Sequence, residues 1–183
     1  MLVTRIFACI GEEFMNRLDT PAYVPWRSPS KPSCMKMNDS LPEFGNKVVG
    51  AEYKTRPGSY GLIFDEENRL LTLVTSSGLH LPGGGRDGSE TAEENLVREL
   101  DEECQVAVKS VTPVTSAVQY VYARGEGYFK KVCDYFWVEI SSQPQESEDD
   151  HKIVWATVKQ ALTELSHESH RYGLQKTIDL LTD

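Results

Sequence analysis

The chain has 183 residues, 39 % apolar and 26 % charged, with 19 Lys and Arg against 28 Asp and Glu. That length and apolar content fit one folded domain with an appendage and exclude a wholly disordered chain. A formal charge of −9 argues against a duplex DNA binder, which needs a basic face to neutralise phosphates, and no run approaches the roughly 18 apolar residues of a membrane-spanning helix.

Val3, Ile6, Phe7, Ile10, Phe14 and Leu18 recur at helical spacing and predict a short amphipathic helix. Glu12 and Glu13 do not suit a mitochondrial presequence, and no secretory signal is evident. The expected role is a helix that packs on the domain or a partner, or frays. Met15, Met35 and Met37 would each serve if translation began later. From Asp19 to Pro42 the chain is rich in Pro, Ser and Asn and reads as a linker. The division therefore falls at residues 1–46, an N-terminal extension, and 47–183, a folded domain that carries the whole net negative charge.

The folded part begins with expected strands at Lys47 to Lys54, Ser59 to Phe64 and Leu70 to Val74. A short extended piece, His80 to Pro82, precedes Gly83-Gly84-Gly85. A helix is predicted from about Thr91 to Cys104. Two long strands follow, Val106 to Tyr122 and Tyr128 to Ile140, joined through Arg124-Gly125-Glu126-Gly127. An acidic loop, Gln143 to Asp150, leads to a strand at Ile153 to Trp155, and helices are expected at Val158 to Leu165 and Ser169 to Leu181. This order predicts a mixed sheet with helices on its faces. Cys9, Cys34, Cys104 and Cys133 form no CxxC pair and read as reduced thiols of a cytosolic protein.

The central helix carries the chemistry. Thr91 and Glu94 fit a capping box, and Ala92, Leu96, Leu100 and Cys104 form a narrow apolar stripe. Glu99, Glu102 and Glu103 lie at i, i+3 and i+4, on one helical surface, where like charges are mutually destabilising. A bound divalent cation reverses the sign of that cost, and three carboxylates make a hard oxygen site suited to Mg²⁺ or Mn²⁺. The glycine loop just upstream lets backbone approach a metal or phosphate closely. Loop, capped helix and carboxylates together read as metal-assisted phosphoryl chemistry.

The pattern Gly84, five residues, Glu90, seven residues, Arg98-Glu99-Leu100, one residue, Glu102-Glu103, one residue, Gln105-Val106 closely resembles the signature of the MutT/Nudix hydrolases. Gln105 stands where the family usually has Gly, a position favouring a left-handed backbone. The resemblance implies an α/β/α sandwich with a mixed sheet behind an N-terminal tail. It also implies hydrolysis of a nucleoside diphosphate linked to another group X. Glu99, Glu102 and Glu103 would be metal ligands with the Gly84 carbonyl, Arg98 would orient them, and Glu90 would pair with Arg98. The base would be a box glutamate or an acid of a later loop, here Glu146, Glu148, Asp149 or Asp150. The implied ligands are Mg²⁺, with Mn²⁺ as substitute, and a nucleotide-derived small molecule. A homodimer is among the expected states. A rival reading is a non-catalytic module of the same family that binds a nucleotide or protein as a sensor.

Three further features stand apart. His167 and His170 form an HxxH pair expected on the surface or at a helix junction. His80 is placed in the cleft wall or the core. Tyr122 lies sixteen residues beyond the signature, near the offset of a Tyr in family members acting on diadenosine polyphosphates, within strands already rich in aromatics.

Overall fold

The structure, a computed structural model, describes residues 40–145 and 151–182. The Val3-to-Leu18 stripe, most of the Pro-rich segment, Cys9, Cys34 and the acids at 146–150 lie outside the described residues. Eight strands and three helices follow in order: β1 (Glu43–Phe44), β2 (Tyr53–Leu62), β3 (Arg69–Thr75), β4 (Gly78–His80), β5 (Gly83–Gly85), α1 (Ala92–Cys104), β6 (Val108–Ala123), β7 (Gly127–Ile140), β8 (Lys152–Thr157), α2 (Val158–Glu164) and α3 (Glu168–Thr182).

Five strands form a mixed sheet in the order β1-β6-β7-β2-β5, and β4-β3-β8 form a smaller one. The pairs β6–β7 and β2–β5 are antiparallel, while β1–β6 and β2–β7 are parallel. Successive strand residues project to opposite faces, which separates Phe136 from Tyr135. Phe136 and Val138 join Leu96, Leu100 and Cys104 of α1 in a buried core with Ile63, Leu71 and Leu73. Tyr135 faces α3, whose Gly173 lies so close that a Cβ there would sit 2.6 Å from the Tyr135 ring. Helices α1 and α3 thus cover opposite faces of the large sheet, the α/β/α sandwich that the resemblance implies. Among the described residues no helix is long and apolar enough to cross a membrane.

Three elements differ from the sequence expectation. Residues 47–52 do not form a strand: Gly50 has φ of +82°, and the Ala51 amide turns back to the Val48 carbonyl. Only Tyr53 and Lys54 of that stretch belong to β2. The strand instead runs unbroken through Pro57, which lacks an N–H to donate but whose carbonyl accepts from the Arg86 amide at 3.0 Å. The sheet also gains β1, two residues that pair with Val118 and Gln119 of β6, and β5, since Gly83-Gly84-Gly85, expected as a loop, pairs with Gly58 to Tyr60 of β2.

Candidate functional site

The capping box of α1 is complete. The Glu94 amide donates to Thr91 Oγ1 at 3.2 Å, and Glu94 Oε2 accepts from the Thr91 amide at 2.9 Å. That fixes the first turn and so the direction in which the later glutamates point. The helix ends at Gln105, which takes the left-handed conformation (φ 51°, ψ 41°) while its amide donates to the Asp101 carbonyl. The departure from Gly thus leaves the backbone geometry in place at the cost of strain in a non-glycine residue.

Beside α1 runs β5, the edge strand of three glycines. Gly83 has φ of +128°, and a Cβ there would fall 2.1 Å from the Ser59 carbonyl oxygen. A Cβ on Gly84 would fall 2.6 Å from a Glu99 carboxylate oxygen. Only a strand without side chains lets this backbone and the helix approach so closely. The Gly83 amide donates to Glu103 Oε2 at 2.7 Å, and Asn95 donates its amide nitrogen to the Gly85 carbonyl at 2.9 Å. Asn95 is fully buried. Its role was not legible from the sequence, where it is one polar residue on a polar helix.

Arg98 gathers the acids. Its Nε donates to Glu90 Oε1 at 2.8 Å and its Nη2 to Glu90 Oε2 at 3.2 Å. Its Nη1 lies 2.9 Å from both Glu99 Oε1 and Glu102 Oε2, and Nη2 reaches the Gly85 carbonyl at 3.2 Å. The Glu90 carboxylate beside it raises the Arg98 pKa, and Arg98 in turn lowers that of Glu90. Burial instead pushes the Glu99 carboxyl up. Three carboxylates therefore surround one guanidinium, and the half-buried one, Glu99, is held against its own desolvation.

These residues suit a hard divalent cation in donor chemistry: carboxylate and carbonyl oxygens only. Among the described residues no three acidic, His or Cys side chains already converge as a metal cluster. Arg98 holds Glu99 and Glu102, and the Gly83 amide holds Glu103.

Glu103 and β5 form one side of a cleft of about 280 Å³. The lining also includes two cations, Arg56 and Lys131, and the imidazoles of His80, His167 and His170. The HxxH pair sits at the α2–α3 junction, but not on the surface, since His170 is 1 % exposed. Its ring lies 5.0 Å from that of His167 and 4.5 Å from that of Tyr60. Burial keeps all three imidazoles neutral, moving His167 down to about 4 and His170 well below the usual range. His80 takes the wall position and meets Ser77 Oγ through Nε2 at 2.9 Å. Tyr122 does not line the cleft; it is 62 % exposed and contacts Tyr128 at the far end of β6. Arg56 and Lys131 escaped the sequence reading, because only the pairing of two strands distant in sequence brings them together.

The NUDIX domain model matches residues 54–177, which contain every residue of this site. Solved structures of like fold include a MutT NUDIX hydrolase from Burkholderia pseudomallei, 24 % identical over 67 % of this chain and 98 % of that one, with TM-score 0.57. A C. elegans Ap4A hydrolase is 16 % identical over 70 % and 97 %, with TM-score 0.55. The E. coli dihydroneopterin triphosphate pyrophosphohydrolase is 16 % identical over 68 % and 95 %, with TM-score 0.53. At such identities the likeness is one of fold. Among curated proteins none matches the chain.

Proposed function

This chain belongs to the NUDIX domain family of hydrolases, and from that premise we propose that it cleaves a pyrophosphate bond in a nucleoside diphosphate linked to a further group X. Water adds across one P–O–P bridge and leaves two phosphorylated products. The observation that carries this reading is the set of three carboxylates gathered round Arg98, with Glu103 on the Gly83 amide, beside a side-chain-free strand at the edge of a cleft.

Glu99, Glu102, Glu103 and the Gly84 carbonyl would hold Mg²⁺, or Mn²⁺ in its place. When bound, such an ion neutralises charge on the phosphates and lowers the pKa of a coordinated water. The chain's own groups do the rest. Glu90 anchors Arg98 through two hydrogen bonds, and Arg98 sets the positions of Glu99 and Glu102. Asn95 and Arg98 both fix the Gly85 carbonyl, which aligns the strand against the helix. The Gly83 amide orients Glu103. The general base is a box glutamate or one of the acids at 146–150. The dihydroneopterin triphosphate and Ap4A activities of the two structural neighbours both concern phosphate chains, which supports a substrate of that kind.

The test is a panel with Mg²⁺ or Mn²⁺, covering oxidised nucleoside triphosphates, nucleotide sugars, dinucleoside polyphosphates and capped RNA, read as phosphate release after coupling. Turnover that chelation abolishes and Mg²⁺ restores is the expected result. No turnover on any substrate would favour a nucleotide- or protein-binding sensor instead.

A further inference from the structure

The two cations in the cleft lining, Arg56 and Lys131, are not explained by the chemistry of α1. Arg56 and Lys131 are direct partners in the β2–β7 register, so they project side by side from one face of the sheet. Like charges placed directly opposite destabilise a strand pair. Among the described residues neither makes an ion pair. The Arg56 guanidinium rests 4.7 Å from the Phe129 ring centre, which positions it without neutralising it. Burial, helped by Arg56, pulls the Lys131 ammonium below the usual lysine range, so its charge is held at a cost. A chain with nine excess negative charges has carboxylates to spare, yet none of the described ones meets these two cations. The neighbouring imidazoles add no charge, since burial keeps them neutral. Among the described residues the two cations have no anionic partner, and they face a cleft that an anion from outside can enter.

We propose that Arg56 and Lys131 form a subsite for an additional phosphoryl group of the substrate, so that the cleft favours molecules with three or more phosphates in line. This rests on the pyrophosphohydrolase reading: the cation that Glu103 would hold beside β5 would meet one part of the phosphate chain, and Arg56 and Lys131 would meet the next. A guanidinium and an ammonium both donate charge-assisted hydrogen bonds to phosphate oxygens. An uncharged X, such as a sugar, would leave the half-buried Lys131 ammonium without an anionic partner.

The experiment compares the full chain with Arg56→Gln and Lys131→Gln. Melting temperature is read with excess inorganic tripolyphosphate or pyrophosphate, each with Mg²⁺. The parent should be stabilised more by tripolyphosphate, and each variant should lose that excess. In turnover, the KM for a nucleoside triphosphate should rise about tenfold relative to that for a nucleotide sugar, the effect of one lost charge-assisted contact. Arg56 is exposed, so Arg56→Gln carries the test if Lys131→Gln fails to fold. Equal stabilisation by the two anions, or an excess that survives in Arg56→Gln, overturns the subsite. An intact excess in the parent that both variants lose, with no substrate hydrolysed, upholds the subsite and removes the catalytic reading. Hydrolysis with an unchanged KM ratio does the reverse.

Discussion

Replacing Glu102 with Gln keeps the side chain's size and removes one negative charge. Without metal two opposing effects nearly cancel. Glu102 Oε2 lies 2.9 Å from Arg98 Nη1, but its side chain is 54 % exposed, and an exposed i,i+4 pair contributes only about 0.3–0.5 kcal/mol. Against that, the repulsion from Glu99 at i−3 is relieved, an effect of similar size. The metal-free variant should therefore melt within about 2 °C of the parent, since 1 kcal/mol corresponds to roughly 3–5 °C for a domain of this size. Metal should change the balance. At a Mg²⁺ concentration about ten times the parent's Kd, binding would stabilise the fold by about 1.4 kcal/mol; with the variant binding about tenfold more weakly, only about 0.4 kcal/mol would remain. Turnover should fall by about a hundredfold or more, as when one group that stabilises transition-state charge is removed. Thermal melting with and without Mg²⁺, beside a phosphate-release assay, measures all three quantities. An equal Mg²⁺ response in parent and variant, with near-normal turnover, would show that Glu102 belongs to a solvated acidic face.

Gln105→Gly should raise stability by up to about 1 kcal/mol, because a left-handed residue with a Cβ is strained and the Gln105 side chain is exposed; a urea midpoint that does not move would contradict this. Stability should fall as pH drops from about 6.5 toward about 4, because the unfolded chain then binds protons at His167 and His170 that the folded chain refuses. The slope is up to about 1.4 kcal/mol per pH unit for each imidazole. Denaturation between pH 5 and 7 should give a flatter dependence for His167→Gln, and an unchanged slope would exclude His167 from the effect. A chain lacking residues 1–36 should keep one cooperative melting transition; its loss would place the Val3-to-Leu18 stripe in the core.

Local signals made most of the architecture legible. Thr91, Glu94 and the Leu96–Leu100 stripe located α1, because caps and helical periodicity are written within a few residues of each other. The alternation of β6 and β7 is likewise local. The signals failed where non-local contacts decide. Glu43–Phe44 is too short to show a period and is a strand only because β6 lies beside it. Pro57 reads as a breaker, yet β2 continues through it, paired to β7. The box residues were readable from spacing, and the structure brings Glu90, Arg98, Glu99 and Glu102 into one ion-pair group. Asn95, Arg56 and Lys131 were not readable. Nothing near Arg56 in sequence announces that Lys131 will stand next to it.

The parallel pairing of β2 with β7 joins Tyr53 to Tyr128, 75 residues away in sequence. Parallel strands so distant must close a long loop before any hydrogen bond between them forms, and such topologies fold slowly for that entropic reason. Both β5 and α1 lie inside that loop. The capped helix is free to form early, on the time scale of local structure, whereas the cleft exists only after the loop has closed. Refolding followed by far-ultraviolet circular dichroism should therefore run ahead of refolding followed by recovery of Mg²⁺-dependent stabilisation, with the lag set by the chain's topology and not by the chemistry of the site.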